Sequence, residues 1–348
     1  MRRQRRLRGR FVSRTAVVGL FAVAGTGLVV PPSWAATTLS TTVVSKSATG
    51  PNAANTEVVA AANCSGKLVS GGGARVDVTT GTMPNGLKVD GTVPSKNGST
   101  QDTNGDTKPA WLLGAGGGGG QAPSKAETWA YGMCIGSGTG HGPAATVVEV
   151  ASVSGPNTAD TTAKATVSCP TGDRLLGGGA RTSPGTVGSL KIIGSFPSDA
   201  TGKPVTSGTN PGSWTAVGLN GGGGGTNTTS VFAVCSTDPT NPTITVRNAR
   251  VSGPTAASTG ASVTAACGAG TVLVGGGAYI SNNFGIPNNF GIPGSQGDHL
   301  TGDFPSDSAG HPVTAGTASA WAASSHTGGQ PSPATVTDVW ALCGSQIY

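Results

Sequence analysis

Residues 169–180 read Cys169-Pro170-Thr171-Gly172-Asp173-Arg174-Leu175-Leu176-Gly177-Gly178-Gly179-Ala180. A cysteine closes one short run, a Gly-containing turn follows, and a second run carries two leucines into a glycine triplet. That is the pattern of two strands and a turn. Its recurrence decides the fold. Cys64 is followed by Gly71-Gly72-Gly73-Ala74 and Cys267 by Gly275-Gly276-Gly277-Ala278, and in each copy the triplet begins seven or eight residues after the cysteine.

Outward from this stretch the same landmarks return in the same order. Gly50-Pro51, Gly155-Pro156 and Gly253-Pro254 place a proline 13 residues before each cysteine. Downstream come Pro94-Ser95, Pro197-Ser198 and Pro305-Ser306, with Trp111, Trp214 and Trp321 standing 17, 17 and 16 residues past the proline. Each copy closes on an aromatic, a small residue, an apolar residue and cysteine: Tyr131-Gly132-Met133-Cys134, Phe232-Ala233-Val234-Cys235 and Trp340-Ala341-Leu342-Cys343. Such self-similarity marks a repeated structural unit. We read an export signal at 1–35 and β units at 36–142, 143–240 and 241–348.

Residues 1–14 carry seven arginines and no acid, and an uncharged apolar stretch to Val30 precedes small residues at Ser33 and Ala35. This is the three-part layout of a cleavable signal. Its apolar run falls short of the roughly 20 residues of a spanning helix, so no membrane span is expected once it is removed. The segment also accounts for the basic balance. It holds seven of the 21 Lys and Arg residues and none of the 15 acids, leaving 14 basic against 15 acidic groups. The charge is therefore no argument for nucleic acid as a partner. Secretion is the expected destination.

The 59 glycines and 23 prolines would interrupt any helix repeatedly, and short Val/Thr-rich runs between them read as strands. The expected class is all-β: three tandem disulfide-closed units, each a β-sandwich or small barrel. They are either strung like beads or packed about a pseudo-threefold axis. All six cysteines belong to the repeat, two per copy, so the expected bridges are Cys64–Cys134, Cys169–Cys235 and Cys267–Cys343. Without Cys-x-x-Cys spacing or a neighbouring histidine they make poor zinc ligands.

A site inherited with the unit should recur in at least two copies. The columns that recur are Cys, Gly, Pro, Trp and the closing aromatic, and each has a packing explanation. His141, His299, His311 and His326 occupy unrelated positions. Asp199 and Asp307 share a column, but Lys96 stands there in the first copy, and an Asp after a strand end is a usual turn residue. No Gly-x-Ser-x-Gly elbow and no carboxylate pair is present. His299 with Asp298 or Asp303 is the least poor catalytic candidate. Gly116–Gly120 and Gly221–Gly225 lack the Gly-Lys-Ser/Thr ending of a phosphate loop and read as hairpin tips. Asp102 to Asp106 resembles a calcium loop, but Leu113 stands where its bidentate acid belongs. The expectation is no cofactor, no metal and no catalytic residue.

Two sets of aromatics remain as possible ligand contacts. Trp111, Trp214 and Trp321 are core residues or a sugar-stacking platform. Phe284 and Phe290 sit in a perfect tandem hexapeptide, 282–287 and 288–293, which lengthens one loop of the third copy.

The string Cys169-Pro170-Thr171-Gly172, Gly177-Gly178-Gly179-Ala180, Trp214 and Val231-Phe232-Ala233-Val234-Cys235 resembles a pattern in uncharacterised exported actinobacterial proteins, also found near the ends of some fibre-like proteins. The resemblance covers all three units, although Ser65 replaces Pro170 in the first. Its motifs are structural and imply no activity. The functional expectation is a non-enzymatic extracellular structural or adhesive protein with polysaccharide or cell-surface components as partners. Carbohydrate binding is the runner-up and a secreted hydrolase comes third.

Overall fold

The structure is a computed structural model that describes residues 39–107, 109–120, 125–136, 145–237, 242–282, 292–293, 297–332 and 334–345. Residues 36–348 form one compact unit. Among the described residues every regular element is a strand, as the density of Gly and Pro punctuation requires. The first copy supplies β1 (Ser40–Thr49), β2 (Glu57–Asn63), β3 (Leu68–Val78), β4 (Leu87–Ser95), β5 (Asp106–Thr107), β6 (Trp111–Gly118) and β7 (Ala126–Gly136). The second supplies β8 (Thr146–Ser154), β9 (Thr161–Ser168), β10 (Arg174–Ser183), β11 (Leu190–Ser198), β12 (Ser213–Asn220) and β13 (Thr228–Ser236). The third supplies β14 (Ile244–Ser252), β15 (Gly260–Ala266), β16 (Thr271–Asn282), β17 (Ile292–Pro293), β18 (His299–Ser306), β19 (Ala315–Gly316), β20 (Ala320–His326) and β21 (Thr335–Ser345).

Each copy divides its strands between two sheets. In the first, β1, β7 and β3 lie side by side in one sheet and β2, β6 and β4 in another. A bridge between Cys64 and Cys134, with α-carbons 5.4 Å apart, ties the two together. The bridges Cys169–Cys235 and Cys267–Cys343 do the same in the other copies. In the chain-entropy model each loop of 66 to 76 residues contributes about 4 kcal/mol.

No copy completes a sheet by itself. β4 pairs with β10, β11 with β16, and β18 with β3, so every seven-stranded sheet is built from two neighbouring copies and the third seam returns to the first copy. Of the two arrangements expected, the units are packed about a pseudo-threefold axis and are not beads. Each seam rests on two residue pairs, such as Thr92↔Ala180 and Gly91↔Arg181.

The glycine triplet makes these seams possible, and its three members do different work. At the first position Gly71, Gly177 and Gly275 meet on the axis: a β-carbon on Gly71 would lie 3.4 Å from the α-carbons of both others. At the second, Gly178 and Gly276 lie directly beneath the indoles of Trp214 and Trp321, while Gly72 lies beneath Leu112. At the third, Gly73, Gly179 and Gly277 face the backbone of the neighbouring copy at Asp303, Thr92 and Ser195. A side chain at the third position would drive the two copies' backbones apart. A bulge precedes the triplet in each copy, and Ser70 in the first of these bulges donates a 2.6 Å hydrogen bond to the Val274 carbonyl of the third copy.

Side chains seal the seams. The residue before the Pro-Ser pair packs against the next copy's closing aromatic: Phe196 against Trp340 with ring centres 5.4 Å apart, and Phe304 against Tyr131 at 5.8 Å. At the remaining seam Val93 meets Phe232. The segment after each Pro-Ser pair then reaches across and pairs with the first strand of the next copy, as β5 on β8, β19 on β1, and a Thr209↔Thr245 bridge on β14. Those strand edges are thereby covered, which removes templates for stray pairing.

One expectation about the glycine runs needs correction. Gly116, Gly117 and Gly118 lie inside β6, where Gly116 is pressed against Thr128 and Val76. β6 and β7 also belong to different sheets, so the run leads across from sheet to sheet and is no hairpin tip. Gly221–Gly225 follows the end of β12 and is a loop.

Candidate functional site

Trp214 and Trp321 are both 0% exposed. The Trp214 indole N–H donates to Ser195 Oγ at 3.0 Å, and that of Trp321 to the Asp303 carboxyl. Neither ring presents a face to solvent, so a sugar has nothing there to stack on. The third tryptophan is not their equivalent. β4 pairs Pro94 with Leu112 and Ser95 with Trp111, whereas Pro197 and Pro305 pair with Trp214 and Trp321. Trp111 thus occupies the register of Ser213 and Ala320, one residue out of the tryptophan column. Its side chain lies outside the described residues, as do Phe284, Phe290 and His141.

A recurring buried threonine column escaped the sequence reading. Thr128, Thr229 and Thr337, each six residues before the closing cysteine, are buried and donate to the carbonyls of Gly50, Gly155 and Gly253 at 2.8, 2.9 and 2.9 Å. Those glycines hold φ near +110°, a region that L side chains avoid, and their Gly–Pro peptides are cis. The constant spacing was the available signal. The column clamps a turn and offers no open group.

The acid–base residues are likewise occupied with structure. Asp199 Oδ1 accepts from the Thr201 and Lys203 backbone N–H groups, and Asp307 Oδ1 from those of Ala309 and His311, as turn residues do. Buried His299 meets the Gly297 carbonyl through Nδ1 at 2.7 Å, and its Nε2 is buried without a partner. Asp298 Oδ2 accepts from Ser332 and Thr335. Asp303 serves Trp321, and burial pushes its carboxyl up to about 8. His299 stands in register with Lys88 and Lys191. Burial and the charges of both lysines hold its imidazole well below the usual range. Lys88 is paired with Asp90 at 2.7 Å. In the first copy Asp102 Oδ1 accepts from the Lys96 N–H, and Asp106 pairs with Lys96 and Thr103. Among the described residues no three His, Cys, Asp or Glu side chains are grouped to hold a metal ion.

No protein-family model matches the chain, and no curated protein matches it.

One open concavity lies at the seam between the first and second copies. It is a cleft of about 350 Å³ with a floor of Val59, Ala61 and Leu113, a wall formed by residues 98–101, and Arg181 from the second copy at its edge. Both carboxylate oxygens of Glu57 accept from Arg181 Nη2 at 2.9 Å. Val59 is 41% exposed, an unusual position for a large apolar side chain in this molecule.

Proposed function

We propose that the chain is a secreted, non-enzymatic structural or adhesive protein. One observation carries this reading. The cysteines, glycine triplets, Gly-Pro turns, Pro-Ser pairs and clamping threonines shared by all three copies are spent on holding one closed, disulfide-braced β body together. Selection that keeps three such copies favours a rigid, durable surface over a repeated reaction centre. The test is to incubate the oxidised chain from Ala36 onward with intact cell walls and separated wall polymers. Retention is measured beside assays for released ester, amide and glycosidic products. Retention without product supports the reading. Product release that disappears in His299→Ala would overturn its non-enzymatic half, and absence of retention would overturn its adhesive half.

A second reading, carbohydrate binding, is favoured by the cleft at Val59 and Arg181. Its volume falls in the range of small-ligand sites.

A further inference from the structure

The three seams follow one plan, and the first–second seam holds this cleft. Five positions there differ from their counterparts in the second copy. Before the Pro-Ser pair the other seams carry Phe196 and Phe304, each packed on a closing aromatic, while the first–second seam carries Val93. Eight residues past the proline, where the backbone N–H returns to the proline carbonyl, the other copies pack half-buried Val205 and Val313 against the core. The first copy has Asp102 there, 3% exposed and with Oδ2 buried and unpartnered. On the strand below, Lys164 and Thr166 of the second copy meet the covering turn: Lys164 Nζ donates to the Thr201 carbonyl at 3.2 Å, and a β-carbon on Gly202 would lie 3.1 Å from that Nζ. Thr264 meets the turn at Gly310 in the same way in the third copy. By register the corresponding residues of the first copy are Val59, Ala61 and Ser99. A side chain too short to bridge replaces the lysine, and a bulkier residue replaces the glycine that lets the turn close.

We propose that this opened seam is a binding site for a neutral saccharide unit. The ligand class follows from the lining. Val59, Ala61 and Leu113 offer an aliphatic floor for the C–H face of a pyranose. Ser99, Thr100 and Gln101 supply hydroxyl and amide groups that both donate and accept, as sugar hydroxyls require. Arg181 would attract an acidic ligand, but its guanidinium is already neutralised by both Glu57 oxygens. An anion entering the cleft would displace or repel that carboxylate, whereas an uncharged ring can share the pair's remaining donor and acceptor positions. This inference rests on the carbohydrate reading and names its site and its ligand class.

The experiment titrates the oxidised mature chain with neutral trisaccharides (cellotriose, chitotriose, maltotriose, mannotriose) and with an alginate trimer as an acidic comparator. Binding is read by calorimetry and by saturation-transfer NMR. Two variants accompany the wild type: Val59→Lys with Ala61→Thr, which installs residues the second copy already tolerates at these positions, and Gln101→Ala at the exposed wall. Thermal melting checks that both remain folded. The expected result is binding of at least one neutral trisaccharide, weakened tenfold or more in the double variant and severalfold in Gln101→Ala. Binding that persists unchanged in the folded double variant would keep the carbohydrate reading and overturn the site. Preference for the alginate trimer would overturn the ligand class. No saccharide binding to the wild type would overturn the site and the carbohydrate reading together.

Discussion

A β-carbon built on Gly177 would stand 2.9 Å from the α-carbon of Gly71 and 2.6 Å from the Ser70 carbonyl oxygen. Two copies separated by more than a hundred residues of chain thus touch backbone to backbone on the molecular axis. Main chain packs there because nothing larger fits, and the obstructing atoms cannot rotate away as a side chain could.

Gly177→Ala is therefore expected to destabilise the protein by about 1–3 kcal/mol, the range for overpacking a dense core. Gly71→Ala, whose new methyl would meet its nearest neighbours only at 3.4 Å, should cost less. Equilibrium denaturant unfolding of the two variants gives the comparison, and equal losses would contradict the axial geometry.

The disulfides brace halves of a copy that belong to different sheets. Replacing Cys169 and Cys235 together by alanine opens a loop of 66 residues and should lower stability by about 4 kcal/mol in the chain-entropy model. Denaturation midpoints of the oxidised double variant check this, and a loss below about 1 kcal/mol would mean that the seams alone hold the copy closed.

Asp303 sets a pH dependence with a definite sign. Burial raises its carboxyl from 3.8 to about 8, so the folded state prefers the protonated form. The stability this group contributes is full below pH 4, is lost as pH rises from about 4 to 8, and then levels off. Asp303→Asn keeps an oxygen for the Trp321 N–H without the charge. The variant should gain on the wild type steadily across that window, by several kcal/mol at its upper end. Thermal melts from pH 4 to 9 measure it, and parallel profiles would refute the assignment.

The threonine clamps should be separable from packing. Thr229→Val preserves shape but removes the 2.9 Å hydrogen bond to Gly155, and an unsatisfied buried acceptor costs about 1–3 kcal/mol. Hydrogen exchange at the amide of Gly155, which donates to Asn227 at 2.8 Å, should accelerate together with the loss of stability. Unchanged exchange would show that the turn is held by other means.

The repeat, the strand character of its segments and the cysteine partners were legible in the sequence because each depends on local composition or on spacing preserved by duplication. Three copies of one interval, 13 residues from proline to cysteine, are enough to show that the pairings travel with the unit. The threonine column was legible too, at a constant six residues before the closing cysteine, but it was overlooked among many other threonines.

Tertiary structure alone decided what those segments do together. Strand hydrogen bonds choose partners across space, so β4 joining β10 in another copy leaves no trace in either sequence. Strand register alone put Leu112 opposite Pro94, where the other copies put Trp214 and Trp321, and so Leu112 joined those two indoles in the core. The glycine triplets look alike along the chain. Their members part company only when three backbones meet on an axis, an indole lies over the second glycine and a neighbouring carbonyl crosses the third. The cleft is the same kind of fact, because Val59 and Arg181 line it together only when two copies share a sheet.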